Sequence, residues 1–126
     1  MSGKVLLYNI KDAKKRASIQ FCLFKQGLAA VDVAAEDLGH PLGYLLGLEG
    51  YAPAPAEEVF TEEMLVMHNL TPAQFNGLLD GLRRARATVA LKAMVTDTNV
   101  AWSSARLHRE IAAEHAAMRQ KQGSIH

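Results

Sequence analysis

Cysteine occurs once in this 126-residue chain, as Cys22. An internal disulfide framework is therefore excluded, and a reducing compartment is expected. Aromatic side chains make up only 6% of the sequence, and alanine supplies much of its 49% hydrophobic share. The core is expected to be thin and closely packed, with few large anchors. Net charge is +1, too little for a global field that draws nucleic acid or an anionic membrane. No apolar run approaches the roughly 18 residues of a membrane span. The short run Val5–Tyr8 is also too brief for a signal-peptide core. Neither a Walker loop, nor a dinucleotide fingerprint, nor Gly-x-Ser-x-Gly is present. What remains is one small soluble domain spanning 1–126, expected in the cytoplasm, with no cofactor, no metal, no nucleic acid and no membrane among its partners.

Apolar patterning supplies the elements. Val5–Tyr8 reads as a strand, followed by a helix over Lys11–Gln26 capped by Asp12 and stopped at Gly27. Its apolar stripe is expected on Ala17, Phe21 and Phe24, with Ile19, Cys22 and Leu23 at the margins. Ala29–Ala34 alternates like a half-covered strand, and Pro41–Leu46 is a short helix. Residues 49–62, with Tyr51-Ala52-Pro53-Ala54-Pro55-Ala56, read as an extended, partly mobile surface connector. Met64–His68 is a second continuous apolar strand. Thr71-Pro72 opens a helix whose buried stripe is Phe75, Leu78, Leu79 and Leu82. Val89–Val95 alternates as a fourth strand, and Ser103 caps a last helix to about Met118. The tail 119–126 is expected to be flexible.

A shift of sixty places Tyr8-Asn9-Ile10 over His68-Asn69-Leu70, Asp32 over Lys92 and Asp37 over Asp97 without a gap. Two tandem β-α-β-α repeats, 4–48 and 63–118, are the expectation. Strands apolar on both faces belong at the centre of a sheet. Strands 1 and 3 are therefore expected to be central, and strands 2 and 4, with Asp32 and Lys92 as edge charges, outermost. Two α/β topologies share that order: a ferredoxin-like pseudo-twofold sheet and a small doubly wound parallel sheet.

Met64-Leu65-Val66-Met67, the run Leu91-Lys92-Ala93-Met94-Val95-Thr96-Asp97-Thr98-Asn99, and Trp102-Ser103 resemble a small bacterial family labelled domain of unknown function 3783. Val5–Asn9 and Leu38–Leu45 are similar to the N-terminal part of those proteins. Asp97 stands where that pattern has a proline. The resemblance implies a bacterial cytoplasmic origin and brings no assigned activity and no catalytic residue.

Ligands of α/β sheets collect beyond the carboxyl ends of strands. The candidate ligand-binding set is accordingly Lys92, Thr96, Asp97, Thr98, Asn99 and Trp102, against Asn9, His68 and Asn69 at neighbouring strand ends. Thr, Asp and Asn also make turns through their own backbone, and Trp102 also fits as a core plug. Lys11, Lys14, Lys15 and Arg16 crowd the start of the first helix, as a phosphate site or as a solvated face. His108 and His115 are seven apart, which does not match zinc spacing. Leu42, Tyr44, Leu45 and Leu48 enrich the short helix in apolar groups, as a contact patch would. The leading expectation is a non-enzymatic protein-interaction or regulatory domain, acting as a homodimer or with another protein. A small-ligand sensor or minor enzyme, taking an anion or nucleotide, is the alternative.

Overall fold

The computed structural model describes residues 3–123. Its elements in chain order are β1 (Lys4–Tyr8), α1 (Ala13–Lys25), β2 (Ala29–Asp32), α2 (Leu42–Leu45), β3 (Met64–His68), α3 (Pro72–Arg84), β4 (Leu91–Met94) and α4 (Ser104–Gly123). A 3-10 turn at Ala35–Asp37 precedes α2. The helix α4 thus continues past the Met118 end and into the expected tail. Residues 124–126 of that tail lie outside the described part. The chain forms two compact units, each built from two separate stretches: up to Ala34 with Thr61–Val95, and Ala35–Phe60 with the chain from Thr96 onward.

The first unit holds one open four-stranded sheet in the order β2-β1-β3-β4. Central strands 1 and 3 and outer strands 2 and 4 match the apolar patterning. Val5, Leu6, Leu7, Met64, Leu65 and Val66 are all buried, as strands shielded on both faces require. The directions correct both expected topologies. β1 pairs parallel with β2, and β3 parallel with β4, but β1 and β3 are antiparallel, with Leu6 opposite Val66. Each local crossover makes a parallel pair, whereas residues 33–63 return the chain so that β3 runs back along β1. A doubly wound sheet is all parallel, and a ferredoxin-like sheet has its outer strands antiparallel to the inner ones; this mixed sheet is neither.

Capping fixes the two helices of this unit. Asp12 accepts from the Lys15 N–H, and Thr71 and Gln74 form a reciprocal capping box with Pro72 at the first turn. After each helix the chain turns through a left-handed residue, Gly27 (φ 69°) in one case and Arg86 (φ 55°) in the other. Asn9 (φ 60°) and Asn69 (φ 62°) do the same after β1 and β3, a conformation that asparagine tolerates better than most residues.

The face of α1 differs from expectation. Ile19, Cys22 and Leu23 pack inward with Val5, Leu7, Leu65 and Met67, together with Leu78 and Leu82 of α3. Phe21 and Phe24 are 62% and 78% exposed. The run Phe21-Cys22-Leu23-Phe24 is apolar around the whole helix, so periodicity cannot choose a face there. Packing chooses it instead: Gly77 and Gly81 let α3 approach Gln26 and Cys22 closely, and a Cβ on Gly81 would stand 3.2 Å from the Cys22 sulfur.

Two further details change. The offset between halves is not uniformly sixty. It is sixty for β1 and β3, fifty-nine for the helices and sixty-two for the outer strands. Asp32 and Lys92 lie opposite Leu7 and Leu65 in register. They therefore sit on the helix-facing side of the sheet, at its margin.

The second unit is tied by a bridge between Pro41 and Ser103. Leu42 N–H donates to Trp102 O, Gly43 N–H to Val100 O and Ala105 N–H to Leu38 O. Leu42 and Leu46 are buried, Leu45 and Leu48 are half-buried, and Tyr44 is exposed. The connector is irregular but docked. A Cβ on Gly39 would collide with the Pro55 carbonyl, and one on Gly43 with the Tyr51 ring. His40 Nδ1 accepts from the Ala54 N–H at 2.9 Å, and Phe60 stacks on His108 with centroids 3.9 Å apart.

Candidate functional site

Sheet directions separate the residues expected to line one pocket. Lys4 lies opposite His68 and Tyr8 opposite Met64. Asn9, which follows Tyr8, is therefore at the opposite end of the sheet from His68 and Asn69. There the Asn9 amide donates to Glu62 O at 2.9 Å. His68 is half-buried, and burial, assisted by the Lys4 charge, pushes its imidazole below the usual pKa. Lys92 donates from Nζ to Val89 O, and burial lowers its ammonium pKa.

Residues 96–103 belong to the second unit and use their polar groups locally. Thr96 N–H donates to Asn99 Oδ1 at 2.8 Å, and Asn99 N–H to Thr96 Oγ1 at 3.1 Å. Ser103 Oγ accepts from the Arg106 N–H, capping α4. The Arg106 guanidinium lies 4.1 Å from the centre of the Trp102 ring. Asp97 and Thr98 are exposed. The loop is a self-bonded turn leading into a cap. In the basic stretch before and within α1, Lys15 pairs with Glu63 at 2.6 Å and Arg16 pairs with Asp32. Half of that cluster is thereby neutralised.

The side chains gather elsewhere, on the outer surface of α1 and α3. Between these helices runs a groove of about 570 Å³. The two strands that precede the helices are antiparallel, so the helices are antiparallel too, and they meet at Cys22 against Gly81. Every lining residue from α1 has its counterpart fifty-nine positions later in α3: Phe21 with Asp80, Cys22 with Gly81, Lys25 with Arg84. The groove is therefore lined by corresponding positions of the two helices. Cys22 forms its floor, and burial raises the thiol pKa, partly offset by Lys25. A protonated, packed thiol is a poor nucleophile. Lys25 Nζ sits 5.7 Å from the Phe21 ring centre. Asp80 pairs with Arg83, while Lys25 and Arg84 form no ion pair among the described residues.

A second cavity, about 580 Å³, opens on the other flank of α3 and is lined by Asn76, Leu79, Asp80, Arg83, Thr88 and Lys92. Four residues, Ala87, Thr88, Val89 and Ala90, stand between the turn at Arg86 and β4, where Leu28 alone separates Gly27 from β2. Among the described residues no cluster of three metal-ligating side chains exists. No described helix is long and apolar enough to cross a membrane. The sequence signal that could have located the first groove is Gly77 with Gly81, four apart on a helix. Glycine there costs helix stability and gains only if another helix comes close.

Residues 63–118 match the family described as Domain of unknown function (DUF3783). No curated protein and no solved structure matches the chain.

Proposed function

We propose that this chain is a non-enzymatic protein-interaction domain whose contact surface is the outer face of α1 and α3. One observation carries the reading. At the positions where α3 presents the ion pair Asp80–Arg83 to solvent, α1 presents Phe21 and Phe24. Both rings lie opposite the buried stripe Ile19, Cys22 and Leu23, so neither contributes to the core. Exposed rings beside a groove are the features by which contact surfaces are recognised. The halves themselves are read as copies of one βαβ ancestor, supported by matched caps, matched left-handed turns and near-constant offsets.

Selection from a displayed random-peptide library tests the reading. Wild-type protein is expected to enrich peptides that bind a Phe21→Ser/Phe24→Ser variant at least tenfold more weakly. Enriched peptides indifferent to both substitutions would contradict it.

A second reading rests on the cavity beside β4, where Lys92 and Arg83 stand near the apolar Leu79 and Val89. It would take a small anion. Raised melting temperature in phosphate or short-chain carboxylates, absent in Lys92→Met, is its expected sign; equal shifts in both proteins would dismiss it.

A further inference from the structure

Resting on the docking reading above, we infer that the α1/α3 groove takes an acidic amphipathic helix, with carboxylates seven residues apart flanking an apolar pair. The antiparallel pairing of the two helices sets the spacing. Lys25 lies one turn beyond Cys22 along α1, and Arg84 one turn beyond Gly81 along α3. Cys22 and Gly81 touch at the centre of the groove and the helices are antiparallel, so the two cations lie towards opposite ends. One turn on each side is about 5 Å, so they stand roughly 10 Å apart along the groove, the rise of seven helical residues. A guest helix with Glu at i and i+7 can meet both cations, while apolar residues at i+3 and i+4 share its inner face. Those residues fall over Cys22 and Gly81 and against the Phe21 ring.

Charge complementarity selects this occupant. Lys25 and Arg84 are exposed and form no ion pair among the described residues. A second copy of the same face would bring these cations against their own kind. A nucleic-acid strand would bring phosphates past Asp80, which lines the groove between them. An acidic helix meets both ends, and Phe21 supplies an apolar wall.

Fluorescence anisotropy with four labelled probes tests the inference on the full chain. They are an 18-residue helical peptide with Glu at i and i+7 and Leu at i+3 and i+4, its Glu→Gln form, its Glu→Lys form, and a thymidine 12-mer. The Glu peptide is expected to bind at least tenfold more tightly than the Gln form, with affinity falling as salt rises. Lys25→Glu/Arg84→Glu, two exposed sites whose folding circular dichroism verifies, is expected to reverse the preference towards the Lys peptide. Equal binding of the three peptides, or no effect of the double reversal, would overturn the acidic partner while leaving a docking face. Binding of none of them would overturn both readings. Binding of the thymidine strand alone would assign the face to single-stranded nucleic acid.

Discussion

The two βαβ segments, Lys4–Asp32 and Met64–Met94, share a skeleton and differ in what they show to solvent. Both begin with a strand buried on its two faces, turn through a left-handed asparagine, enter a capped 13-residue helix, and leave it through a left-handed residue. Their inner faces match: Ile19 and Leu23 in α1 do what Leu78 and Leu82 do in α3. Their outer faces do not. Where α3 places Asp80 and Arg83, ordinary solvated partners, α1 places two phenylalanines. The skeleton is thus set by buried positions, caps and turns, and the exposed rings are not needed to build it.

The largest expected effect tests whether the inner halves are equivalent. Leu7 and Leu65 face each other across the centre of the sheet and are both buried. Leu7→Ala and Leu65→Ala are each expected to cost about 3 kcal/mol in urea denaturation, as buried leucines commonly do. A loss below about 1 kcal/mol at either site, in the range of ordinary surface changes, would break the equivalence.

A smaller effect separates the halves at their contact. Gly81→Val would force a branched side chain against Cys22, whose sulfur already stands 3.2 Å from the position of a Cβ. The expected cost is about 1–3 kcal/mol, the range for overpacking. Adding Cys22→Ala should recover part of it. Recovery of nothing would place the strain elsewhere.

The smallest effect concerns the ends of the central strands, where His68 stands in the second half and Tyr8 in the first. Burial lowers the His68 pKa from 6.5, so the unfolded chain binds a proton more readily than the folded one. This contribution is complete above the unfolded value and declines as pH falls below about 6.5, where protonation favours the unfolded chain. His68→Gln should flatten the stability profile between pH 7 and 5. A profile unchanged by the substitution would remove His68 as a cause.

Which parts were legible follows from the same contrast. Val5–Tyr8 and Met64–His68 announced central strands because every residue in them is apolar or aromatic until the end. Thr71-Pro72 and Asp12 announced caps because their chemistry is local. Strand direction was hidden, since it depends on how residues 33–63 return, and no short-range pattern encodes that path. The inward face of α1 was hidden by four consecutive apolar residues. Thr96 and Asn99 stand out as ligand groups, yet residues good at binding ligands are also good at binding their own backbone. The groove needed two elements sixty residues apart to be seen together, and only Gly77 with Gly81 hinted at it.

The most direct test rewrites the outer face of α1 as that of α3. In the variant Phe21→Asp/Phe24→Arg, both helices carry the same i,i+3 ion pair. A cooperative urea transition within about 0.5 kcal/mol of wild type, the usual range for surface changes, is expected together with loss of peptide binding by at least tenfold. An unfolded variant, or one that folds and binds as wild type does, would contradict it.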